Sequence, residues 1–64
     1  MIEPGVVIEV RADVATVARV DAEWRPLAYP SFMMVPLGRT DIRRGQFVRV
    51  EDGVRVVELL ERRP

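Results

Sequence analysis

No cysteine and no histidine occur among the 64 residues, and every basic side chain is an arginine. Without a thiol there is no disulfide framework, thiolate zinc site or cysteine nucleophile. Without imidazole there is no histidine base and no histidine metal ligand. Only four aromatic residues are present, Trp24, Tyr29, Phe32 and Phe47. No apolar run approaches the ~20 residues of a membrane-spanning helix, and the first residues lack the basic-then-apolar pattern of a signal peptide. Ten arginines balance ten carboxylates, so there is no excess of positive charge for gripping a phosphate backbone. With 48% apolar residues the chain is too hydrophobic to stay disordered. These exclusions leave one small soluble domain over residues 1–64, expected in the cytoplasm.

The apolar residues that are present name the fold class. Twelve are Val and three Ile, against four Leu. Branching at Cβ stiffens a side chain and suits a pleated surface. Five Pro and four Gly would interrupt any ordinary helix. Val56 to Arg63 has a helical composition but is too short to stand alone. The expectation is all-β.

Val6 to Arg11 alternates, with Val6, Ile8 and Val10 on one face. Ala12-Asp13 is the natural reversal, and Val14 to Val20 runs back. An even-length loop places Ala15 and Val17 with Val6, Ile8 and Val10; an odd one brings in Val14, Thr16, Ala18 and Val20 instead. Trp24 to Tyr29 reads as a third strand, an edge or irregular one because of Pro26. Ser31 to Leu37 is the fourth, and Gly38 to Gly45 a loop with Ile42 plugging one end of the core. Phe47 to Val50 and Val54 to Leu60 form the last hairpin around Glu51-Asp52-Gly53. A three-residue loop there, with Gly53 left-handed, pairs Val50 with Val54 and Val48 with Val56 and sets Arg49 beside Arg55. Five short antiparallel strands in a chain of this length suggest a small five-stranded barrel, OB-like or SH3-like.

Chemistry is sparse. The hydroxyls of Thr16, Tyr29, Ser31 and Thr40 have no imidazole or lysine to take a proton. Asp21 with Glu23, and Glu51 with Asp52, are close carboxylate pairs, yet both fall at turns where short acids serve backbone geometry. No loop has the oxygen-ligand spacing of a calcium site, and Gly38, Gly45 and Gly53 are isolated turn glycines rather than a phosphate cradle. The expectation is no enzymatic activity, no catalytic residue, no cofactor and no metal.

Charge is unevenly placed although it sums to zero. Residues 1–23 hold five acids against two arginines, and residues 38–49 hold Arg39, Arg43, Arg44 and Arg49 against Asp41. Those four arginines form a candidate nucleic-acid surface, with Phe47 or Trp24 available to stack on a base. Head-to-tail association of a basic loop with an acidic hairpin is another way to use the same asymmetry.

Phe32-Met33-Met34-Val35 stands apart, because alternation leaves apolar side chains on both faces of the strand. A small barrel has one interior, so either a neighbouring segment covers the second face or it docks a partner or another copy. Trp24, Phe32, Met33, Met34 and Val35 are therefore the candidate partner-binding residues, Trp24 beside Arg25 being a favoured interface composition.

Two blocks resemble a known family. Val17-Ala18-Arg19-Val20-Asp21-Ala22-Glu23-Trp24-Arg25 resembles the segment of NfeD-type soluble OB domains in which a valine-rich strand leads to an acidic turn and an aromatic. Ile42-Arg43-Arg44-Gly45-Gln46-Phe47-Val48-Arg49-Val50, continuing through Glu51-Asp52-Gly53-Val54-Arg55-Val56-Val57-Glu58, resembles that family's closing hairpin. The resemblance implies an OB-like barrel used for protein association. The function expected is a non-enzymatic interaction or assembly module, self-associating or a small subunit of a larger complex. Its partner is a protein or another copy, not a membrane; an OB-type binder of single-stranded nucleic acid is the alternative.

Overall fold

The computed structural model describes residues 1–28, 32–38 and 41–63. The described residues form five strands and no helix: β1 (Ile2–Arg11), β2 (Val14–Arg19), β3 (Phe32–Pro36), β4 (Phe47–Glu51) and β5 (Arg55–Leu60). All pairings are antiparallel, in one sheet of order β3-β2-β1-β4-β5. A lone sheet without a covering helix can bury one face only by curling over itself. The end strands β3 and β5 accordingly approach each other, and the molecule measures 28 × 23 × 22 Å. The core draws on every strand: Val7, Ala15, Val17, Met33, Val35, Val48, Val50 and Val56, with Ile42 entering from the loop as its sequence position suggested.

Gly5 lies in β1 opposite Arg19 of β2. A Cβ there would overlap Val17 Cγ1 and stand 3.0 Å from the Ala18 carbonyl oxygen. Only glycine lets the two strands meet at this spacing.

The first hairpin turns through Ala12-Asp13, between paired Arg11 and Val14, so the loop is even and Val10 lies opposite the fully buried Ala15. None of Val6, Ile8 and Val10 lines the core: Val6 is half-buried, and Ile8 and Val10 are exposed. The ladder slips between Val7 and Glu9, and this bulge at Ile8 inverts the alternation. Val7 is 1% exposed, whereas Ile8 is 37% exposed.

The closing hairpin also departs from expectation. Its loop has three residues, but they are Asp52, Gly53 and Val54, because Glu51 pairs with Arg55. Asp52 and Gly53 have φ of 55° and 70°, and the Val54 N–H donates to the Glu51 carbonyl at 3.0 Å. Two successive left-handed residues match the twist of a hairpin. Val50 thus pairs with Val56, not Val54, and a second bulge sets Arg49 opposite Glu58, not beside Arg55. Opposite charges replace the like-charge contact, and both core valines stay inward.

Trp24 to Ala28 is not a strand. Val20 makes an isolated bridge to Pro26, and Leu27 donates its N–H to the Arg19 carbonyl. The segment doubles back along β2 instead of starting a new strand. Tyr29, at the end of the expected strand, and Ser31, at the start of the next, lie outside the described residues.

Candidate docking surface

β3 realises the two-faced alternation. Its even residues pair with Ala18, Thr16 and Val14, and its odd residues with Val17 and Ala15. Met33 and Val35 consequently sit in the core, 4% and 0% exposed, and are not available to a partner. Phe32 and Met34 point the other way, 49% and 63% exposed. Of the five proposed contact residues, the strand itself withdraws two, because a single pleat cannot present successive side chains to the same side. The Thr16 hydroxyl lies 3.4 Å from Met34 Sδ across the pair.

Trp24 is half-buried and belongs to a different part of the surface. Asp21 builds its turn: the carboxylate Oδ1 accepts the Glu23 N–H at 2.8 Å and the Arg25 N–H at 3.0 Å. The Asp21 backbone closes the loop, its N–H donating to the Arg25 carbonyl and its C=O accepting from Trp24, each at 2.9 Å. The Arg25 N–H donated to the carboxylate, reinforced by that of Glu23 and by the Arg25 charge and opposed by desolvation, holds the Asp21 carboxyl below its ordinary range. Trp24, at φ 64°, is thereby laid edge-on to Phe47 at 5.9 Å, with the Arg49 guanidinium 5.5 Å from its ring centre. Ala18 and Val20 are buried on this outer side of β2, apart from the main core. The sheet thus hides apolar side chains outside its main core, and the Trp24 ring makes its own contact with Phe47.

The described arginines of the candidate basic surface occupy two different settings. Gln46 accepts the Arg43 N–H on its side-chain oxygen and donates its own N–H to the Arg43 carbonyl, while Gly45 and Gln46 bond to Val7. This turn displays Arg43 and Arg44 to solvent. Arg49 is instead half-buried, bound to Glu58 and stacked on Trp24, and Arg39 lies outside the described residues. The acids of the first 23 residues are largely met at home: Glu9 by Arg11, Asp21 and Glu23 by Arg25, and Glu3 by Arg19 at 2.7 Å. These acids thus find their arginines within the first 25 residues, not in the basic segment 38–49.

A cleft of about 650 Å³ opens between the end of β3 and the start of β5, lined by Pro36, Gly38, Ile42, Glu51, Val54, Arg55 and Val56. Sequence periodicity could not reveal it, since it lies where two strands distant along the chain fail to pair. Its lining mixes polar and apolar surface, and Glu51 and Arg55 within it are bound to each other. Among the described residues no group of three or more acids stands where it could hold a metal, and no helix is long and apolar enough to cross a membrane. Comparison with protein-family models, characterised proteins and solved structures finds no match.

Proposed function

We propose that the protein is a non-enzymatic interaction or assembly module, an OB-like barrel of the kind its resemblance to NfeD-type domains implies, working in the cytoplasm. The supporting observation is the division of β3. Met33 and Val35 anchor the strand in the core and hold Phe32 and Met34 outward on a rigid support, with no charged side chain in the strand to discourage contact. Exposed Met is adaptable and exposed Phe is costly to leave in water, a combination suited to burial against protein. The cyclic neighbourhood of strands, with β3 and β5 approaching at the seam, supports the OB-like barrel. The protein joins another copy of itself or a larger complex through this face.

Sedimentation velocity tests the proposal on the wild-type chain and on Met34→Asp, which keeps the inward side of β3 intact. The expected result is an assembly of the wild type that the substitution disperses to folded monomer. A wild-type chain that stays monomeric at millimolar concentration, and whose Phe32 and Met34 NMR signals do not change in concentrated cell extract, overturns it.

A further inference from the structure

The fold sorts its arginines into two sets. Arg11, Arg19, Arg25, Arg49 and Arg55 each hold a carboxylate of the same chain. Arg43, Arg44, Arg62 and Arg63 are exposed and, among the described residues, hold none. The closing hairpin separates these two unpaired stretches along the chain and reunites them in space. Phe47, which opens β4, pairs with Leu60, which ends β5, so the chain enters β4 and leaves β5 at one end of the ladder. Arg43 and Arg44 sit in the turn just before that pair, and Arg62 and Arg63 follow just after it. Of the acids at this end, Asp41 is already engaged, which leaves Glu61. Like charges held together repel, and among the described residues nothing in the chain relieves these arginines.

A guanidinium fork suits carboxylate and phosphate alike. Two observations favour carboxylates carried on a protein. Single-stranded nucleic acid needs a ring face on which its bases can stack. Phe47, the aromatic at this end, is instead packed edge-on with Trp24, whose own ring lies under Arg49. Glu61 also stands beside Arg62, and a strand charged at every phosphate must pass it, whereas a peptide can place a neutral residue there.

A second copy is a poor source of such a segment. Its Glu3, Glu9, Asp21, Glu23, Glu51 and Glu58 are held by arginines, and its Asp52 by the Met1 amine. Another copy could present an acidic stretch only by breaking these pairs.

We propose that this end of the sheet binds an acidic, extended segment of a partner protein, with its carboxylates divided between Arg43–Arg44 and Arg62–Arg63. The surface goes beyond the outward face of β3 and does not depend on it. Charge supplies both attraction and orientation here, where apolar burial does so at β3.

The test titrates the intact protein with a capped octapeptide of alternating glutamate and serine and follows the arginine Nε–H signals by NMR. Those of Arg43, Arg44, Arg62 and Arg63 shift together, while those of Arg11 and Arg55 stay in place. Arg43→Gln combined with Arg62→Gln weakens binding about tenfold, at about threefold for each exposed charge pair lost. Arg11→Gln combined with Arg55→Gln removes the same charge elsewhere and weakens it about twofold at most. Affinity falls as salt is raised from about 20 to about 300 mM, and an oligothymidylate of equal charge binds more weakly than the peptide. Shifts confined to one of the two stretches, binding indifferent to the Arg43 and Arg62 substitutions, or an oligonucleotide that binds as tightly as the peptide overturns the proposal. Dispersal of the assembly by Met34→Asp reports on the β3 face alone and these titrations on the arginine end alone, so either reading can fall without the other.

Discussion

The Arg49 guanidinium faces the Trp24 ring at 5.5 Å while Glu58 binds the same group from β5. One side chain therefore ties the fold-back segment to the closing hairpin. Arg49→Ala removes both contacts, and the loss expected at this half-exposed site is about 1 kcal/mol. Urea unfolding of Arg49→Ala, Trp24→Leu and the double variant isolates the ring contact as a coupling of roughly 0.5–1 kcal/mol. Additive losses would show that the two side chains are only neighbours.

Asp21 makes the fold-back dependent on pH. Its carboxyl is held below the ordinary carboxylate value by the N–H groups it accepts. A depressed folded value means that the carboxylate stabilises the fold above the unfolded value of about 3.9, and that this contribution is lost as pH falls through the lower, folded value. Fluorescence of Trp24, the single tryptophan, should shift toward that of a solvated indole over this acid range. Asp21→Asn should flatten the dependence. A shift centred above the ordinary carboxylate range would assign it to another group.

Gly5→Ala adds one methyl group against the fully buried Val17 and a backbone carbonyl, neither of which can move aside cheaply. A destabilisation of about 1–3 kcal/mol is expected by denaturant unfolding. In a chain whose whole stability is of the order of 3–10 kcal/mol, that is a large share. Gly53→Ala strains a left-handed turn position but meets no atom within 4 Å, so its cost should be the smaller.

Nucleic-acid affinity should be weak. Of the three described arginines of the candidate basic surface, Arg49 is already held by Glu58 and Trp24, while Arg43 and Arg44 share one exposed turn. A salt titration with single-stranded oligonucleotides should detect no more than the shallow dependence of about two phosphate contacts. A steep slope that Arg43→Ala and Arg44→Ala reduce would show that the protein binds polyanions after all.

The features read correctly from the sequence are those set by neighbours in the chain. The strand composition, the Ala12-Asp13 reversal, the Met33–Val35 and Phe32–Met34 division and the burial of Ile42 all follow from local pattern. The bulge at Ile8 does not, because it lies in the register of β1 against β2, which the alternation of β1 by itself does not carry. The hairpin loop moved by one residue for a related reason: Glu51–Arg55 and Arg49–Glu58 attraction and inward valines on both strands are satisfied together only with a compensating slip. Trp24–Ala28 has strand-like residues, but Asp21 captures two N–H groups and bends the backbone before a ladder can form. Of the candidate contact residues, periodicity located the outward-facing Phe32 and Met34, whereas the cleft required knowing which strands meet.

β2 is clothed on both sides, by Ala15 and Val17 within and by Ala18 and Val20 beneath the fold-back. The small alanines keep it thin enough to lie between two unequal layers. Swelling either alanine would press on the opposite layer through the strand, so disturbances at Trp24 and at the β3 face share a mechanical route. In so slight a protein, the strand whose Ala15, Val17 and Ala18 are all hidden from solvent is the spine against which everything else is aligned.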